Sequence, residues 1–192
     1  MLATNFLIGV DGLINLTSGA GTSSFNTITF TLQLDNTVTA FTQAAGVFNG
    51  GSNTNDFNGP WTLSGGTYTA SSGTTTMANA MTVSGAPTFN HNSGTWTFDG
   101  TASVNINPGG LTFNHVNFSH ASGTKTFTGN MTVSGNLTHD QPGTVASDAT
   151  GRTITLSGNF SSTSTGIFGT SANLFLAFAG DATHTLSRTS TG

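Results

Sequence analysis

Apolar and polar residues alternate with a period of two along most of this chain. In Thr95-Trp96-Thr97-Phe98 the threonines take one side and the aromatics the other, and Thr27-Ile28-Thr29-Phe30-Thr31-Leu32-Gln33-Leu34 repeats the pattern over a longer stretch. Successive side chains of a β-strand point to opposite faces, so this period predicts strands with one buried and one outward side. Each run is short and is closed by Gly, Asn, Ser or Asp, which favour turns. The elements expected are therefore many short strands and turns with little helix.

The strands recur. Thr-x-Thr pairs stand at Thr67/Thr69, Thr95/Thr97, Thr124/Thr126, Thr153/Thr155 and Thr183/Thr185, at steps of 28–30 residues. The segment from Thr88 to Gly100 also aligns with that from Asn117 to Gly129, and Met-Thr-Val-Ser-Gly occurs at both Met81–Gly85 and Met131–Gly135. Self-similarity at such a period is the signature of stacked repeats. The fold expected is all-β, a parallel β-helix (β-solenoid) with about 28–30 residues per repeat. If one step is one coil, Phe98, Phe127, Leu156 and Leu186 stack as an interior column and the threonines line up outside. Lys125 and His184 occupy inward slots, and we place them at a corner where a long side chain reaches water.

Two parts are distinguished. Residues 1–60 lack the Gly-Thr repeat and read as an atypical N-terminal coil or cap; residues 61–192 carry the solenoid repeats, after a Gly/Asn-rich loop at Gly46–Pro60.

Composition supports strands and narrows the function. Charged residues make up 5% of the chain, Glu is absent and Lys125 is the single lysine, whereas Gly contributes 26 residues and Thr about a fifth. Good helix formers are scarce and strand and turn formers abundant. Fifteen Phe and two Trp argue against disorder, which goes with few aromatics. The net charge of -4 leaves no basic surface for a phosphate backbone, so nucleic acid is not an expected partner. Without cysteine there are no disulfides or thiolate metal sites. No run has transmembrane length. Met1–Val10 is apolar but has no positive n-region and no clear cleavage site, so it is not read as a signal peptide.

The stretch from Trp61 to Gly192 resembles the Thr/Gly/Asn-rich repeats of bacterial surface and secreted proteins, the filamentous-haemagglutinin and autotransporter-adhesin-like β-solenoids. The resemblance is carried by Ser122-Gly123-Thr124-Lys125-Thr126-Phe127-Thr128-Gly129-Asn130-Met131-Thr132-Val133-Ser134-Gly135-Asn136-Leu137-Thr138 and by the turns Phe98-Asp99-Gly100 and Phe178-Ala179-Gly180. It implies an extracellular or cell-surface location, an elongated parallel β-helix, and scaffold or attachment work. Such repeats carry no family active site.

Candidate chemistry is sparse. The seven Asp residues are scattered through turns, so the convergent acid/base group of a catalytic site is missing and no enzyme is expected. His91 falls near His120 in the repeat alignment and His115 belongs to a second copy of Thr-Phe-Asn-His, but a polar corner ladder with Asn90, Asn92 and Asn114 explains them without a metal, and no metal or other cofactor is expected. Sequons at Asn15, Asn117, Asn130, Asn136 and Asn159 are no more than the Asn and Thr content predicts. The Thr-x-Thr rows are the one candidate ligand face: Thr67, Thr69, Thr95, Thr97, Thr124, Thr126, Thr153, Thr155, Thr183 and Thr185. Stacked one per coil they resemble the hydroxyl grid of ice-binding proteins, with a glycan surface as the other partner; Thr is also simply a favoured outward strand residue. Phe6-Leu7-Ile8 and Leu174-Phe175-Leu176-Ala177-Phe178 are apolar on both strand faces, and the repeat that restarts at Thr183 stops at Gly192. These two segments are expected to pair head to tail between copies, giving a homo-oligomer or filament. The function expected is therefore a non-enzymatic structural or adhesive solenoid that self-associates as a surface or fibre subunit. The alternatives are an ice-binding protein and a polysaccharide-binding or phage-fibre module.

Overall fold

The computed structural model describes residues 13–16, 40–169, 173–180 and 183–188. These contain no helix; they form 21 strands whose named pairings are all parallel. The chain is a β-solenoid, as the alternation predicts.

β1 (Leu13–Leu16) opens the first side. The first full coil runs through β2 (Ala40–Gln43), β3 (Val47–Asn49) and β4 (Asn55–Phe57), and the second through β5 (Trp61–Leu63), β6 (Thr67–Thr69) and β7 (Thr74–Met77). The third comprises β8 (Met81–Val83), β9 (Thr88–Asn90) and β10 (Thr95–Phe98); the fourth β11 (Val104–Asn107), β12 (Thr112–Phe113) and β13 (His115–Phe118). The fifth holds β14 (Thr124–Phe127), β15 (Met131–Val133) and β16 (Leu137–His139), and the sixth β17 (Thr144–Ser147), β18 (Arg152–Leu156) and β19 (Phe160–Ser162). β20 (Leu174–Phe178) and β21 (Leu186–Arg188) belong to the next coil. Three sides result. The first and third are seven-stranded sheets, and the second divides into β3-β6-β9 and β12-β15-β18-β20. Residues 40–57, which belong to the atypical N-terminal part on sequence, pair in register with the coil that follows.

The register sets the coil length. Phe41 pairs with Trp61 and Trp61 with Met81, each 20 residues on. Met81 pairs with Ile106, 25 residues on, and Ile106 with Phe127, 21 on. The recurrence at 28–30 residues is therefore not one coil, as expected from sequence, but one coil plus one strand and its turn. The wide coil has longer turns, 84–87 and 99–103, and there the second side's ladder breaks between β9 and β12.

The interior is built of columns. On the third side Trp96, Val116, Leu137 and Phe160 succeed one another in register, beside Met77, Phe98, Phe118 and His139. On the second side Phe48 stacks on Tyr68 and Tyr68 on Phe89, with ring centroids 4.7 and 5.8 Å apart, and Phe113 continues the column 5.2 Å from Phe89 across the ladder break. Each such buried side chain contributes roughly 1.5–3 kcal/mol, and contacts between the rings about 0.5–1.5 kcal/mol more.

Phe98, Phe127 and Leu156 are fully buried, as the alternation requires. They do not stack on one another: Phe98 lies between Met77 and Phe118 on the third side, Phe127 between Ile106 and Ser147 on the first, and Leu156 between Val133 and Phe178 on the second. Leu186 follows Phe160 in register but is 66% exposed. Lys125 points inward as the alternation says, but it does not reach water. It is fully buried, and its ammonium donates to the carbonyls of Gly100 at 2.7 Å and Ala102 at 3.0 Å. The corner supplies backbone acceptors where solvent was expected. The strand expected at Thr27–Leu34 lies outside the described residues.

Candidate functional site

The five Thr-x-Thr pairs do not form one grid. Because each step is a coil plus a side, the pairs pass round the solenoid: Thr67/Thr69 on β6 of the second side, Thr95/Thr97 on β10 of the third, Thr124/Thr126 on β14 of the first, and Thr153/Thr155 on β18 of the second. Thr183 and Thr185 precede β21 on the third side. The threonines of the four strand pairs point outward and are half-buried.

What the third side brings together is a different set. Thr74 pairs with Thr95 and Thr76 with Thr97, a two-by-two block of outward hydroxyls. Strand and ladder geometry place them about 4.8 Å apart across strands and about 6.7 Å along each. The block extends in register along the whole sheet as Asp56, Thr76, Thr97, Asn117, Thr138, Ser161 and Ser187. Thr76 Oγ1 donates to Asp56 Oδ1 at 2.6 Å, and Asn117 Nδ2 donates to Asp140 Oδ2 at 3.1 Å, so these side chains are braced along the column. At the strand entrances a second ladder ties coil to coil. The Asn136 amide donates to His115 Nδ1 (2.9 Å), the Asn159 amide to Asn136 Oδ1 (3.1 Å) and the Thr185 amide to Asn159 Oδ1 (2.8 Å). Reasoning from the Thr recurrence missed Asp56, Thr74, Thr76, Thr138 and Ser161; offsets of 20–23 residues connect them, a signal present in the sequence but weaker than the Thr-Gly recurrence.

The third side carries Asp56 and Arg188 on its strands, with Asp140 beside β16. Arg152 makes a bidentate pair with Asp148, at 2.9 Å from Nε and 2.5 Å from Nη2, on the second side. The arginine's hydrogen bonds hold that carboxyl below the usual carboxylate range. Burial pushes the Asp99 carboxyl up, with Asp56 adding to the effect.

The histidines are arranged differently from expectation. His91 does not approach His120: its Nδ1 accepts from the Ser93 amide at 3.0 Å, inside a tight turn where Asn92 and Ser93 have φ of 50° and 59°. Instead His120 packs against His139, ring centroids 6.2 Å apart, because it is the strand one coil on, and not one sequence repeat away, that becomes its neighbour. Among the described residues no three His, Asp or Glu side chains converge on a position that suits a metal ion.

Of the segments expected to mediate association, Phe6, Leu7 and Ile8 lie outside the described residues. Leu174, Phe175, Leu176 and Phe178 form β20, paired along one edge to β18. Leu174 and Leu176 pack against the core, whereas Phe175 is 56% and Phe178 40% exposed. No described helix is long and apolar enough to cross a membrane. No family model matches the chain, and neither a curated protein nor a solved structure was found to be similar to it.

Proposed function

We propose that this chain is a non-enzymatic structural or adhesive solenoid of a cell surface or extracellular fibre, which associates with copies of itself end to end. The observation that carries this reading is the exposed apolar surface of β20 and β21. Phe178 continues Val133 and Leu156, and Leu186 continues Leu137 and Phe160, yet Phe178 is 40% and Leu186 66% exposed. Among the described residues no strand pairs with the outer edges of β20 or β21. An apolar column beside an open ladder edge is a template for one more coil. Supporting it, the basic side chains of Lys125 and Arg152 are engaged by carbonyls and by Asp148. Sedimentation velocity over a concentration series, with electron microscopy of the same samples, tests the reading. Linear assemblies should grow with concentration and be reduced by Phe178→Asp and Leu186→Asp; a monomer at every concentration overturns it.

A second reading is favoured by the block Thr74, Thr76, Thr95 and Thr97, an ordered hydroxyl array on the third side, bordered by the Asp56 carboxylate that accepts from Thr76. On this reading the face binds ice or a crystalline glycan. Ice-recrystallisation and insoluble-polysaccharide pull-down assays test it, with Thr97→Tyr as the blocking variant.

A further inference from the structure

The turn that joins β16 to β17 is held by two imidazoles from successive coils. His139 Nε2 lies 3.0 Å from the Gly143 carbonyl oxygen, and His120 Nε2, one coil earlier, lies 3.1 Å from the next carbonyl, that of Thr144. Both rings are fully buried. A carbonyl only accepts, so each ring carries its proton on Nε2 and presents a bare lone pair at Nδ1. Neither Nδ1 has a hydrogen-bond partner. The arrangement is thus complete with both rings neutral and has no place for a second proton on either.

We infer that His120 and His139 form an acid-sensitive latch, holding the 140–144 turn closed while both are neutral and releasing it when they are protonated. Protonation would put a buried N–H at Nδ1 with no acceptor and set two cations side by side in the interior. The surrounding charges weigh against it at His120, and at His139 Asp140 favours it more than Arg188 opposes it. Lys125 of β14 repels a charge on His120, and Arg188 of β21 repels one on His139; Asp140, in the turn itself, attracts both. The remaining groups packed here, Phe118, Phe168 and Ser162, are uncharged. Burial holds both histidines below their ordinary affinity for a proton, with the carbonyl contacts opposing it. The sign follows. The unfolded chain binds protons at these positions first, so their contribution to stability is fully present above about pH 6.5 and is lost as the pH falls from there through the folded-state values.

The test is urea unfolding of the full chain between pH 8 and pH 5, alongside the double variant His120→Gln/His139→Gln. Glutamine keeps an N–H donor for each carbonyl and does not titrate. In the wild type the folding constant should fall by up to about tenfold per histidine for each pH unit below 6.5, and the double variant should lose most of this dependence. His91→Gln, outside the latch, should retain it. A wild type whose stability is flat across this range, or a double variant that falls as steeply as the wild type, overturns the inference. Should the double variant fail to fold, amide hydrogen exchange of the wild type decides. Exchange in residues 140–145 that accelerates at pH 5 ahead of the neighbouring strands supports the latch, and uniform acceleration along the chain refutes it.

Discussion

The Lys125 ammonium donates to the Gly100 carbonyl across 2.7 Å, so the chain's single lysine ties the fifth coil to the corner of the fourth. Its second contact, 3.0 Å to Ala102, closes the same corner. Lys125→Ala removes two charge-assisted hydrogen bonds and leaves a void, and should cost about 3 kcal/mol in urea unfolding.

The lysine also makes an alkaline prediction. Burial favours its neutral form in the folded chain, and Asp99 opposes this. The folded state therefore releases the proton at lower pH than the unfolded state does. The penalty is constant below the folded value and shrinks as the pH rises from there to about 10.5. Unfolding midpoints of wild type and Lys125→Met compared at pH 8 and pH 10.5 should shift in favour of the wild type at the higher pH. An unchanged difference would mean the ammonium is not desolvated as described.

Gly100 itself is required by close approach of the previous coil. A Cβ there would fall inside the van der Waals envelope of the Ala78 carbonyl, which is backbone and has little room to move. Gly100→Ala should destabilise by about 2 kcal/mol or more through forced separation of the two coils, read as a lower urea midpoint.

Phe127 is fully buried between Ile106 and Ser147 on the first side. Phe127→Asp places a carboxylate in that interior at a cost of several kcal/mol, comparable with the whole stability of a small domain. Circular dichroism and limited proteolysis should show an unfolded chain, whereas Phe127→Leu should remain folded.

Thr97 faces outward and is half-buried beside Thr76 and Asn117. Thr97→Val should leave stability within about 0.5 kcal/mol, since β-branching and not the hydroxyl suits it to the strand. Any loss of ligand or ice binding in that variant would then be assigned to the hydroxyl alone.

These residues also mark how far the sequence could be read. Alternation identified the inward positions correctly, Trp96, Phe98, Phe127, Ile154 and Leu156 among them, because the pleat imposes it regardless of which strand lies next door. It identified Lys125 as inward too; what was not legible was that carbonyls at the corner would take the place of water. The coil length was hidden for a related reason. All three sides use the same strand chemistry, so the strongest recurrence compares strands on different sides as readily as strands in contact. Backbone ladders decide who is adjacent, and they leave little trace in side-chain identity. Thr74-Thr75-Thr76 shows the limit at its sharpest: Thr75 is buried and its neighbours face outward, yet the three letters are identical.

The advance of the Thr-x-Thr pair by one coil and one side has a mechanical meaning. The motif winds round the rod like the thread of a screw, and it regains its starting side only from Thr67 to Thr153, four coils later. At the spacing of hydrogen-bonded strands that is about 19 Å along the axis. A flat body laid against the second side meets these pairs only at that interval, whereas the third side sets Thr95/Thr97 directly beside Thr74/Thr76. The recurring pairs are thus shared among the three flanks of the solenoid and are not gathered into one row.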